Sequence, residues 1–124
     1  MSATPALVCV VDDDESVRES LPDLLRELGY SVEAYASAES YLEANVADRT
    51  VCLILDVTMP GMSGPELHRE LVRRGYVIPT IFITAHADAT IRPTLLAQGA
   101  VECLFKPFSE SALVDALRAA LPGS

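Results

Sequence analysis

Basic side chains are scarce in this sequence: 9 Lys and Arg stand against 18 Asp and Glu, for a formal net charge of −9. The few cations are scattered along the chain, which argues against a nucleic-acid surface. A small cation, or a basic patch on a partner, suits such a chain better. Cysteine is sparse too. Cys9, Cys52 and Cys103 each lie inside an apolar run without short Cys spacing, so neither a zinc site nor a disulfide framework is indicated, and a reduced, intracellular protein is expected. Long hydrophobic runs are missing. The longest early one, Ala6 to Val11, is too short to cross a bilayer and follows no basic segment, so no membrane span or signal peptide is read and the expected location is cytoplasmic. No repeat, low-complexity tract or linker occurs either.

What is present is a foldable chain: 124 residues, half of them hydrophobic, expected to form one domain over 1–124. Five short apolar runs recur at Leu7 to Val11, Ser31 to Tyr35, Val51 to Leu55, Thr80 to Thr84 and Val101 to Phe105. Their near-continuous apolar character suits strands covered on both faces, as in a parallel sheet.

Helical spacing fills the intervals. Val17, Leu21, Leu24, Leu25 and Leu28 make one apolar face before Gly29, and Leu113, Ala116, Leu117, Ala120 and Leu121 make another near the end. Ser16 to Glu19 and Ser63 to Glu66 read as capping boxes, the second with Pro65 in the first turn; Asp88 and Ser109 are the predicted N-caps of the last two helices. Pro22 falls inside the first helix, where it costs about 3 kcal/mol or a kink unless packing compensates. Pro93 predicts a fourth helix that starts late or is irregular. Strand and helix thus alternate five times, which implies right-handed crossovers and a doubly wound α/β sheet with its working site at the carboxyl ends of the strands. Alternation alone leaves the strand order open.

Chemistry-bearing residues stand at those carboxyl ends. The first run delivers Asp12 and Asp13, the third ends at Asp56, the fourth at Thr84, and the fifth runs into Lys106-Pro107. Hard oxygen ligands without His or Cys favour Mg²⁺, which often bridges to a phosphoryl oxygen. An Asp carboxylate can itself attack phosphorus to form an aspartyl phosphate, with positioned cations and a hydroxyl neutralising the charge of a loose transition state. Asp14 and Glu15 are read as helix-entry charges favoured by the macrodipole.

The DD at Asp12-Asp13, LILDVTMPGMSG around Asp56, ITAHAD around Thr84, and KPF at Lys106 to Phe108 closely resemble the receiver domain of two-component response regulators. The resemblance runs from Leu7 to about Leu121, and its details are similar to receivers that precede LuxR-type helix-turn-helix output domains. It implies a flavodoxin-like (βα)5 sandwich, with a five-stranded parallel sheet of order 2-1-3-4-5. It implies that Asp56 is the phosphoacceptor, supplied by a sensor histidine kinase or histidine phosphotransfer protein. Mg²⁺ would be held by Asp13, Asp56 and the Thr58 carbonyl, with Asp12 acting through water. Lys106 would pair with Asp56 and then with the phosphoryl group, Thr84 would follow that group inward, and the bond before Pro107 would be cis. The implied switch surface is the face of the fourth helix, fifth strand and fifth helix, which in the family serves homodimerisation on phosphorylation or partner docking; Pro93 and Cys103 both alter that face, so no dimer geometry is carried over. Stand-alone receiver and N-terminal domain of a longer regulator both remain open.

The chain departs from the family pattern at Cys103, three residues before Lys106, where receivers usually carry Tyr or Phe. A small thiol cannot swing like a ring, so Phe105, on the same side of the strand, is read as taking over part of that role. Cys103 itself is read as a small inert hydrophobe rather than a redox sensor. Thr58, Ala85 and His86 border the phosphoryl position in the family, where such residues influence water access; His68 is read as a solvated helix residue.

Rival functions fit less well. A flavin-binding module needs a Ser/Thr/Gly-rich loop after the first strand, where this chain has DDDES. An acid-phosphatase-like hydrolase needs a second Asp two residues after the nucleophile, where this chain has Thr58. A degenerate receiver acting as an interaction module or phosphate sink is the remaining alternative, although every site residue is present. The resulting expectation is a switch that phosphorylates and dephosphorylates itself rather than a turnover enzyme.

Overall fold

Period-two alternation divides the apolar side chains between the two faces of one sheet. In the computed structural model, which describes residues 6–86 and 88–121, five parallel strands run in the order β2-β1-β3-β4-β5. They are β1 (Leu7–Val11), β2 (Ser31–Tyr35), β3 (Thr50–Asp56), β4 (Thr80–Thr84) and β5 (Glu102–Phe105). The helices are α1 (Glu15–Glu27), α2 (Ala38–Glu43), α3 (Gly64–Arg73), α4 (Ile91–Ala97) and α5 (Glu110–Ala120), with a 3₁₀ turn at Ala47–Arg49. The third strand is one residue longer at each end than its apolar run, and the fifth starts one residue later.

Cys9, Val11, Leu53, Leu55, Phe82 and Cys103 point to one face, where they pack with Tyr41, Leu67, Leu71 and Leu95 of α2, α3 and α4. Val8, Val10, Cys52, Ile54, Ile81 and Ile83 point to the other, against Leu21 and Leu25 of α1 and Leu113 and Leu117 of α5. Each such side chain contributes roughly 1.5–3 kcal/mol on full burial. Buried on both faces, β1 reads as an unbroken apolar run and β4 as an apolar centre between the buried Thr80 and Thr84, whereas the edge strand β2 admits Glu33 and leaves Ala34 exposed. No helix among the described residues is long and apolar enough to cross a membrane.

Helix boundaries correct several expectations. The N-cap of α1 is Asp14, not Ser16: its Oδ1 accepts from the Ser16 N–H and hydroxyl, which uses Ser16 as a donor and leaves no reciprocal box with Glu19. Pro22 is buried within α1, and the helix continues past it to Glu27 because Leu21 and Leu25 are pinned to the sheet on either side. Leu28 falls at the C-cap and is exposed, so it does not extend the apolar face. Gly29, at φ +99°, closes the helix: its N–H donates to Arg26 and that of Tyr30 to Leu25, a Schellman motif. Asp88 is not the N-cap of α4, which is Thr90; the Asp88 carboxylate instead accepts from the Thr90 N–H and hydroxyl, delaying the helix so that Pro93 lies in its first turn. Ser63 with Glu66 forms the predicted capping box of α3, and Ser109 caps α5.

Candidate functional site

Sheet register decides which residues meet. Val11 pairs with Leu55, so Asp12 follows β1 level with Asp56 at the end of β3. Asp56 pairs with Ile83, and Thr84 pairs with Phe105, so Thr84 and Lys106 come one step further along neighbouring strands. The Lys106 N–H donates to the Thr84 carbonyl at 2.7 Å. The Lys106-Pro107 bond is cis.

One carboxylate oxygen each from Asp12, Asp13 and Asp56 lies within 4.8 Å of the others. Asp12 is fully buried, Asp56 is 6% exposed, and Asp13 faces solvent. Lys106 Nζ donates to Asp12 Oδ2 at 2.8 Å and stands 3.9 Å from Asp56 Oδ2. The expected Lys106–Asp56 pair is therefore the longer of two, because Asp12 Oδ2 occupies the nearer position. Asp12 Oδ1 accepts from the Asp14 N–H, and Arg18 donates to the Asp12 carbonyl, which fixes the end of β1 at the start of α1.

Burial, followed by the charge of Asp12, raises the Asp56 carboxyl to about 7, against the lowering effect of Lys106. Burial works against the Lys106 charge, yet the bond to Asp12 and the attraction of Asp12 and Asp56 leave its pKa raised. Three carboxyls facing one ammonium leave negative charge uncompensated, and all the cluster's ligands are oxygens. That donor set fits a hard divalent cation such as Mg²⁺.

The loop after β3 is held from two directions. The Met62 N–H donates to Glu39 Oε2 of α2 at 2.9 Å. At Gly64 a Cβ would stand 2.1 Å from the Asp56 carbonyl oxygen, so only glycine lets α3 begin against the acidic strand end. Gly64 directly after Ser63 and before Pro65 was the visible signal for such an approach; Glu39 gave none. Thr58, Ala85 and His86 are exposed beside the site, with the Thr58 N–H 3.4 Å from Asp56 Oδ1 and the His86 N–H donating to the buried Thr84 hydroxyl.

Two further residues sit away from the cluster. Cys103 is buried against the α2, α3 and α4 side, and burial pushes its thiol up; Phe105 is half-buried two residues on. His68 is not solvated: it is 9% exposed, with its ring edge-on to Phe82 at 5.8 Å. Residues on α3 at this spacing from Leu67 and Leu71 turn toward β4, which the polar character of histidine concealed.

A doubly wound sheet of this strand order, with clustered carboxylates and a lysine at its carboxyl edge, defines a receiver-type signalling domain. The chain belongs to the response regulator receiver domain family, which matches residues 8–118. It is 44% identical to nodulation protein W of Bradyrhizobium diazoefficiens over 119 residues, covering 96% of this chain and 52% of that protein. The structure of response regulator StyR superposes with a TM-score of 0.87 at 46% identity, over 95% of this chain and 60% of that one. The FixJ-N crystal structure does so with 0.81 at 36% identity, over 95% and 94%. The chain spans about half the length of the curated relatives it matches. Members of the family are signalling switches that take a phosphoryl group from sensor kinases and bind Mg²⁺ through acidic residues.

Proposed function

We propose that the chain is one receiver domain over 1–124 in which Asp56 is the phosphoacceptor. The observation that carries this reading is the meeting of Asp12, Asp13 and Asp56 within 4.8 Å, with the Lys106 ammonium against Asp12. An Asp56 carboxylate oxygen attacks the phosphorus of a phosphohistidine on a sensor kinase or phosphotransfer protein. The P–N bond breaks, the imidazole leaves with its electron pair, and an acyl phosphate forms. Mg²⁺, held by Asp13, Asp56 and the Thr58 carbonyl with Asp12 through water, would supply charge neutralisation at the phosphoryl oxygens. Lys106 moves from Asp12 toward a phosphoryl oxygen, and the Thr84 hydroxyl, which accepts from the His86 N–H, turns to donate to another. That turn draws the segment carrying Ala85 and His86 inward. Phe105 replaces the absent ring at Cys103 in transmitting the shift. Water attack on phosphorus then breaks the P–O bond to Asp56, releasing inorganic phosphate and restoring the carboxylate, with Thr58, Ala85 and His86 bordering the path. The switch then controls a partner or an output domain, with transcriptional output as in relatives named transcriptional regulatory proteins.

Intact mass spectrometry after incubation with acetyl phosphate tests the centre of this reading. One phosphoryl group should be gained by wild type with Mg²⁺, and none by Asp56→Asn or in chelator. No gain by folded wild-type protein in Mg²⁺ would leave only an interaction module. Phe105→Ala tests the transmission: it should blunt the phosphorylation-induced chemical-shift changes in α4 and β5, and their persistence would remove Phe105 from the switch.

A further inference from the structure

At the amino end of the sheet, away from the acidic cluster, a cavity of about 480 Å³ opens between α3, the end of α4 and the last turn of α5. Its walls include Leu71, Ile78, Val101 and Ala120, and its rim carries Val72 and Val77, which are 57% and 96% exposed. A second hollow of about 460 Å³ adjoins it, sharing His68, Val72 and Gln98 and adding Arg69 and Arg73. These volumes lie within the range of small-molecule sites, roughly 300–1,000 Å³.

The polar groups of the groove share one character. No carboxylate of the described residues lines either hollow, although acids outnumber bases 18 to 9 in the chain. Arg69 makes no ion pair among the described residues, whereas Arg73 is held by Glu70. His68 stands at the junction, nine-tenths buried, with its ring against Phe82 and no hydrogen bond to its nitrogens from any described residue. Burial, with the charge of Arg69 as a smaller cause, lowers its pKa, so the ring is neutral at neutral pH and keeps one N–H donor. The ring nitrogens are not among the sealed, unpartnered atoms of the described residues, so a ligand head can reach the N–H from the groove.

We propose that this groove binds a small amphiphilic anion, with its apolar body in the larger cavity and its anionic head between His68 and Arg69. The apolar walls recognise the body. The imidazole N–H and the exposed Arg69 guanidinium, whose neighbouring opposite charge, Glu66, lies outside the groove lining, recognise the head, and no carboxylate of the described residues lines the two hollows to repel it.

Octanoate and octanol serve as probes, followed by ¹H–¹⁵N spectra of the whole chain. Octanoate should shift the Val72, Gln98 and Gly99 amides saturably, and octanol should bind at least about fivefold more weakly, the worth of one exposed charge contact. Arg69→Ala should weaken octanoate by about the same factor and leave octanol unchanged. Val72→Glu, at an exposed position that leaves the core intact, should abolish both. Absence of saturable shifts at this face, equal affinity for the two probes, or indifference to Arg69→Ala would overturn the proposal. So would a wild-type dimer in sedimentation that Val72→Glu dissociates, since a second copy would then cover the groove. Phosphorylation of Asp56 is read separately by mass, so neither reading depends on the other.

Discussion

Lys106 reaches across the carboxyl edge of the sheet to Asp12, with Nζ 2.8 Å from Oδ2, and so ties the end of β5 to the end of β1. Asp56 is the more distant acid at 3.9 Å. In a double-mutant cycle with Lys106→Met, Asp12→Asn should therefore show the larger coupling, about 1–3 kcal/mol in urea unfolding, and Asp56→Asn the smaller. Equal couplings would mean that the ammonium is shared evenly.

Asp56 titrates at about 7 in the fold, well above an unfolded carboxyl near 3.9, so the folded state binds its proton more tightly. This group's contribution to stability is then full below about pH 4 and is lost as pH rises through about 7. In chelator at about pH 8, Asp56→Asn should be more stable than wild type by roughly 1–2 kcal/mol, after allowance for solvent screening, and the gap should close toward about pH 4. Mg²⁺ should narrow it at pH 8 by stabilising wild type more. Thermal melts across pH check both statements, and a variant less stable than wild type at pH 8 would contradict the first.

Gly64→Ala would place a methyl group 2.1 Å from the Asp56 carbonyl oxygen, a backbone atom that cannot swing away. The start of α3 has to shift, at a cost of about 2–4 kcal/mol in denaturant unfolding. Phosphorylation by acetyl phosphate should slow together with it, because the displaced loop carries Thr58. A neutral effect on both would show that the loop is loosely held.

His68 has its pKa lowered by burial, so the unfolded chain binds the proton more tightly than the fold. Its contribution is present above the unfolded value of about 6.5 and is lost as pH falls below it toward the folded value. His68→Phe should flatten the fall in stability between about pH 7 and pH 5, since an aromatic ring persists against Phe82 without a proton to gain. An unchanged pH profile would mean that His68 accommodates its charge in the fold.

Much of this was legible along the chain. The five runs located the strands, because parallel strands buried on both faces have little freedom in composition. Asp12, Asp13, Asp56, Thr84 and Lys106 were visible as polar residues ending apolar runs. Helix starts were less legible, since Asp14 and Ser16, or Asp88 and Thr90, are adjacent groups of similar capping strength, and the donor geometry between them chose the boundary.

The sequence by itself determined the alternation of elements and the oxygen-rich chemistry at the strand ends, because side-chain period and residue type are local properties. Only the tertiary structure decided that Lys106 holds Asp12 more closely than Asp56, that Gly64 must lack a side chain, and that His68 lies buried beside an apolar groove. Each of these depends on distances in space that local pattern does not carry, set by strand register at the sheet edge and by how loops and helices pack on the sheet.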